Sequence, residues 1–114
     1  MIFIIEDDLI MAKCIRNACG VDARIFSNAI EAMSELDEEM PDLIFLDILL
    51  TGPDGFTFLN EMISYSDTAK IPIVIVSSLD FGGKDLSTYG VVGILNKDTM
   101  TPDDIKEYAR KYAK

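Results

Sequence analysis

The stretch Pro41-Asp42-Leu43-Ile44-Phe45-Leu46-Asp47 decides the fold, because four successive apolar residues run from a proline to an acid. A strand with one wet face alternates apolar and polar residues, whereas an unbroken apolar run suits a strand covered on both faces, as in a parallel sheet flanked by helices. Working outward, Met1 to Ile5, Val21 to Phe26, Ile71 to Val76 and Val91 to Leu95 are further short runs rich in β-branched residues. With Leu43 to Leu46 they predict five strands.

Helices are expected between them. Leu9, Ala12, Ile15 and Cys19 recur at near-helical spacing, and Gly20 closes that segment as a C-terminal cap would. Asn28 and Glu31 resemble a capping box ahead of Ile30, Met33 and Leu36, in a helix that stops before Pro41. Phe56, Leu59, Met62 and Ile63 form a third apolar stripe behind a Gly-Pro-Asp-Gly turn. The fourth helix, Phe81 to Tyr89, should be short or irregular, since Gly82 and Gly83 each cost about 1 kcal/mol against Ala in a helix interior. The fifth is the best signalled: Thr101 caps, Pro102 takes the first position, Asp103 and Asp104 favour the positive end, and Ile105, Tyr108, Ala109 and Tyr112 share one face. Alternation of strand and helix with right-handed crossovers implies an α/β, doubly wound parallel sheet.

At 114 residues the chain reads as one domain, residues 1–114, and its 49% hydrophobic content suffices for a core without metal or disulfide support. Cys14 and Cys19 would lie on different faces of one helix, poor disulfide partners, and are expected to be small, buried or half-buried thiols of a reducing cytoplasm. No apolar run approaches the ~20 residues of a membrane span, and no basic segment precedes the first strand, so the expectation is a cytoplasmic protein with no membrane contact. The net charge of −10 makes nucleic acid an improbable direct ligand and suits proteins or metal cations instead.

Chemistry in such sheets gathers beyond the carboxyl ends of the strands, where strand order reverses; in a 2-1-3-4-5 sheet that point lies between strands one and three. Strand one ends in Glu6-Asp7-Asp8 and strand three in Asp47. Adjacent strands lie about 4.8 Å apart, so these carboxylates converge. Left alone they would repel and raise one another's pKa values; a hard divalent cation such as magnesium relieves that, taking a few carboxylate oxygens and retaining waters. Strand four ends in Ser77-Ser78 and strand five in Asn96-Lys97-Asp98, which brings a hydroxyl and an ammonium to the same edge. Together these residues suit an acyl phosphate formed on Asp47, its oxygens held by magnesium, Lys97 and Ser77.

On Ile5-Glu6-Asp7-Asp8, Pro41 to Asp47, Asp54-Gly55, Ile71-Pro72 with Ser77, and Lys97, the whole chain resembles a response-regulator receiver domain of the single-domain, CheY-like kind. The resemblance implies a flavodoxin-like, five-stranded sheet of order 2-1-3-4-5. It implies phosphorylation of Asp47 by a histidine kinase or phosphotransfer protein, with Ser77 and Lys97 as switch residues. It also implies magnesium held by Asp7, Asp47, Glu6 (directly or through water) and the Leu49 backbone carbonyl, which leaves Asp8 to cap the first helix. Output would pass by conformational switching to a separate output protein or to a second copy, and no enzymatic activity is expected beyond magnesium-dependent self-phosphorylation and dephosphorylation.

Three positions depart from the family pattern. Asp98 stands where a proline usually follows the lysine; a cis Lys97-Asp98 bond would cost about 2.5 to 4 kcal/mol, so a trans bond or an altered loop is expected. Ile94 replaces the usual aromatic switch residue, and Thr51 replaces a common proline. The alternative reading is a pseudo-receiver that binds partners without phosphorylation. A hydrolase of the haloacid dehalogenase type is disfavoured because Leu49 occupies the place of its second acid, and a flavin site is disfavoured because Glu6-Asp7-Asp8 would repel a phosphate.

Overall fold

A computed structural model describes residues 1–48, 55–78 and 86–113. Five parallel strands, β1 (Ile2–Ile5), β2 (Ala23–Phe26), β3 (Leu43–Leu46), β4 (Ile73–Ser77) and β5 (Val91–Asn96), form one sheet of order β2-β1-β3-β4-β5. Among the described residues the α-helices are α1 (Leu9–Cys19), α2 (Ala29–Leu36), α3 (Gly55–Ile63) and α4 (Pro102–Tyr112), with short 3-10 turns at Thr68–Lys70 and Ser87–Tyr89. No helix among them is long and apolar enough to cross a membrane.

Alternation within each strand divides the core into two layers. Phe3, Ile5, Ile44, Leu46, Ile73 and Ile75 pack on one sheet face with Ala29, Ala32 and Leu36 of α2 and Phe58, Leu59 and Met62 of α3. Ile2, Ile4, Leu43, Phe45, Val74 and Val76 pack on the other with Ala12, Ile15 and Cys19 of α1 and Ile105 and Ala109 of α4. The central strands β1, β3 and β4 are buried throughout, as their unbroken apolar runs require.

The capping signals are realised in the backbone. The Ile10 and Met11 N–H groups donate to Asp8 Oδ1 at 3.0 and 3.3 Å, Glu31 N–H donates to Asn28 Oδ1 at 2.9 Å, and Gly20 ends α1 at φ 71°. Thr101 and Asp104 form a reciprocal capping box. Each such cap stabilises its helix by about 1 kcal/mol.

Several expectations need correction. The edge strand β5 is not covered on both faces: it alternates, leaving Val92 and Ile94 exposed, and a register shift opposite Ile73 and Val74 inserts Val92 as a bulge. The strands at Val21 and Ile71 start two residues late. Val21 follows the left-handed Gly20 and is exposed, while Ile71 is buried but belongs to the 3-10 turn through its N–H bond to Thr68 O. Leu9 and Ile30, placed on the buried stripes of α1 and α2, are exposed, as is Ile63 at the end of α3; α1 buries the remaining stripe residues Ala12, Ile15 and Cys19, and α2 buries Ala29 and Ala32 in place of Ile30. Cys14 is exposed on the outer face of α1, whereas Cys19 is buried and free, and burial pushes its thiol up to about 11. The fourth helix falls largely outside the described residues, with Gly82 and Gly83; what is described of it is the 3-10 turn at Ser87–Tyr89. Thr51 and Asp54 lie outside them too.

Gly93 shows how tightly β5 and α4 fit. The Tyr108 phenol lies across the glycine, in the space a Cβ would occupy. Gly93→Ala should therefore displace the ring and cost about 1–3 kcal/mol, the range for overpacking. A urea titration followed by circular dichroism measures it, and an unchanged midpoint would show that Tyr108 yields freely.

Candidate functional site

The ladder hydrogen bonds carry the strand ends to one edge. Glu6 N–H donates to Phe26 O at 2.9 Å, Asp47 N–H to Ile5 O at 2.9 Å, and Lys97 N–H to Ser77 O at 3.0 Å. Residues that follow β1, β3 and β5, together with Ser77 at the end of β4, thus share the carboxyl edge of the sheet, at the reversal between β1 and β3 where ligand sites form.

Glu6, Asp47 and Ser77 are buried, at 2, 4 and 0% exposure, and Asp7 is exposed. Each of the three acids, Glu6, Asp7 and Asp47, offers a carboxylate oxygen, and these oxygens all lie within 4.8 Å of one another. Three hard oxygen donors at that separation, in a chain with no histidine, fit a divalent cation of the magnesium class and lack the soft ligands that zinc prefers. The backbone carbonyl of Leu49 lies outside the described residues.

Lys97 balances the two buried acids. Its Nζ stands 2.6 Å from Glu6 Oε1, an oxygen that would otherwise be buried without a partner, and 3.3 Å from Asp47 Oδ2. Glu6 Oε2 accepts from Asp8 N–H at 3.3 Å, so Asp8 serves the site through its backbone while its side chain caps α1. Asn96 Oδ1 accepts from Asp98 N–H at 2.7 Å and shapes the turn that carries Lys97. No cis peptide occurs among the described residues, so the Lys97-Asp98 bond is trans.

Burial is the main force on Glu6 and pushes it up to about 7; Lys97 opposes this, and the neighbouring Asp47 adds to it. For Lys97, burial pulls downward, but Glu6 and Asp47 together raise it above the ordinary lysine value. The unfolded chain loses the Glu6 proton near 4.5 while the metal-free folded protein keeps it to about 7, so stability present below 4.5 is lost as pH rises between these values and levels off above. Urea midpoints in a chelator should fall across that window. A midpoint that rises there would contradict the assignment.

Sequence reasoning brought together the residues that the fold brings together: Glu6, Asp7, Asp47, Ser77 and Lys97. It missed the closeness of Lys97 to Glu6, for which the only signal was a glutamate next to Asp7 at the end of a fully apolar strand.

A model of the response regulator receiver domain matches residues 2–110. The protein-glutamate methylesterase/protein-glutamine glutaminase 1 of Pseudomonas savastanoi pv. phaseolicola is 39% identical over 77 residues, covering 64% of this chain and 21% of that protein. Protein-glutamate methylesterase/protein-glutamine glutaminase 2 of Burkholderia thailandensis is 32% identical over 109 residues, 91% of this chain and 29% of that one. The chain thus spans about a fifth to three-tenths of the length of these relatives. In three dimensions, the receiver domain of NtrX from Brucella abortus matches with a TM-score of 0.78 at 22% identity, over 97% of this chain and 96% of that one.

Proposed function

The chain belongs to the response regulator receiver family, and on that premise we propose that it is a phosphoacceptor, residues 1–114 forming a receiver domain in which Asp47 takes a phosphoryl group from a histidine kinase or phosphotransfer protein. The observation that carries this reading is the convergence of Glu6, Asp7 and Asp47 beside the Lys97 ammonium. Glu6, Asp7 and Asp47 would hold magnesium, with the Leu49 carbonyl as a further ligand, and the ion when bound offsets the negative charge of the phosphoryl oxygens.

In the transfer, an Asp47 carboxylate oxygen attacks phosphorus in line, the bond from phosphorus to the donor's histidine nitrogen breaks, and an acyl phosphate forms as that nitrogen leaves with the electron pair. Lys97, already 3.3 Å from Asp47 Oδ2, neutralises the phosphoryl oxygens, and the Ser77 hydroxyl on the adjacent strand donates to one of them. The acyl phosphate carries about −1.5 to −2 charges where the carboxylate carried one, so the site gains roughly one negative charge and a larger, dianionic group. Lys97 is then drawn from Glu6 toward the phosphoryl group, and because its N–H is bonded to Ser77 O the pull is felt at the ends of both β4 and β5. A pre-existing equilibrium between two arrangements shifts, and an output protein or a second copy reads the result. The setting is the cytoplasm, with no nucleic acid contacted directly.

Incubation with magnesium and a small phosphodonor, followed by intact-mass measurement, tests the proposal. One phosphoryl group should be added, and none in the presence of a chelator. A chain that stays unmodified with magnesium present would favour a pseudo-receiver, which binds its partners without phosphorylation.

A further inference from the structure

A groove of about 440 Å³ opens at the opposite edge of the sheet from the acids, between the ends of α2 and α3. Its apolar lining includes the exposed Met40 and Tyr65 and the half-buried Met33, with the buried Met62 beneath them; the three methionines are half of the six in the chain. Among the described residues, Asp37, Glu61 and Asp67 are the charged ones that line it, and no lysine or arginine does. Methionine side chains are flexible and polarizable, and adapt to apolar groups of varied shape.

The electrostatics of this groove are one-sided. Helix C-termini carry about half a negative charge, and neither α2 nor α3 has a basic residue in its last turn. Asp37 stands at the C-cap of α2, where an acid is unfavourable. Around the end of α3 the carbonyls of Asn60, Met62 and Tyr65 accept from the hydroxyls of Ser64 and Thr68, which bring no positive charge. Arg24, away from the groove, pairs with Glu35 of α2 at 2.8 Å and with Glu39 beyond the helix at 3.5 Å. Asp37, Glu61 and Asp67 make no ion pair among the described residues.

We propose that this groove docks a cationic amphipathic segment of a partner protein, its apolar side chains seated on Met40, Tyr65 and the accessible part of Met33 above the buried Met62, and its lysines or arginines facing Asp37, Glu61 and Asp67. A second copy of this chain, at net charge −10, is electrostatically mismatched to that rim, as are anionic membrane surfaces and nucleic acids. The groove and the acid cluster occupy opposite edges of the sheet, so a segment docked here does not cover Asp47.

The test uses the full chain with labelled methionine methyl groups in magnetic resonance, and two synthetic helical peptides, one of leucine and lysine and its counterpart of leucine and glutamate. The lysine peptide should shift the Met33, Met40 and Met62 signals and leave Met1, Met11 and Met100 in place, and the glutamate peptide should shift none. Asp37→Lys combined with Asp67→Lys, both exposed, should weaken the lysine peptide at least tenfold. Equal shifts from both peptides, shifts confined to Met1, Met11 or Met100, or unchanged affinity in the folded double variant would overturn the proposal. So would groove-methyl shifts that follow protein concentration alone, which would mean that a second copy covers the face. The comparison of the two peptides on the unaltered chain decides the matter even if the double variant fails to fold.

Discussion

Asp47→Asn should take up no phosphoryl group from a small phosphodonor in magnesium, while making the metal-free protein more stable near neutral pH by about 1 kcal/mol. The two effects have one cause. Asp47 is buried next to Glu6 and helps to raise it, so the unphosphorylated site stores like-charge repulsion that Lys97 only partly offsets. An asparagine removes one charge and can donate to Glu6, but its amide oxygen cannot form an acyl phosphate. Intact-mass measurement reads the first effect and urea unfolding in a chelator the second. A variant that still gains a phosphoryl group would move the acceptor to another residue.

Lys97→Met should act in the opposite sense on stability. It leaves Glu6 and Asp47 buried without their shared cation, and breaking a buried pair by removing one partner costs about 3–5 kcal/mol, a large part of the ~5–15 kcal/mol that stabilises an ordinary domain. Lys97 is 17% exposed, so the lower end of that range applies. The loss should be largest above pH 7, where Glu6 would otherwise ionise, and should shrink on acidification as Glu6 takes a proton. Millimolar magnesium should restore much of it by supplying charge to the same oxygens. Urea titrations at two pH values, with and without magnesium, measure all of this, and a variant as stable as the parent at pH 8 in a chelator would show that Lys97 does not balance the cluster.

The features readable from the sequence are those set by local chemistry. Asp8, Asn28, Thr101 and Gly20 announce helix ends because each satisfies backbone groups within a few residues of itself. The unbroken run Leu43 to Leu46 announces a central strand because both its faces must be covered. The edges of the sheet are harder: β5 has the composition of a central strand, yet Val92 and Ile94 are exposed, since which strand ends the sheet depends on topology and on the bulge at Val92. Ile71 and Val21 are likewise apolar for reasons other than strand pairing. At the site, the acids and Lys97 could be placed on one edge from the order of the strands, whereas the burial of Glu6, and hence its raised pKa, depends on packing from distant parts of the chain. The groove between α2 and α3 left no sign in the sequence, because Met33 and Met62 read individually as core residues and Met40 belongs to no apolar stripe.

On the proposed function, Asp47 alone among the acids at this edge receives the phosphoryl group. Borohydride reduces an acyl phosphate and leaves free carboxylates untouched, so phosphorylation in magnesium followed by reduction and peptide sequencing by mass spectrometry marks the acceptor. Homoserine in place of Asp47, and nowhere else, is the predicted result; the mark at Glu6 or Asp7, or no mark at all, would contradict it.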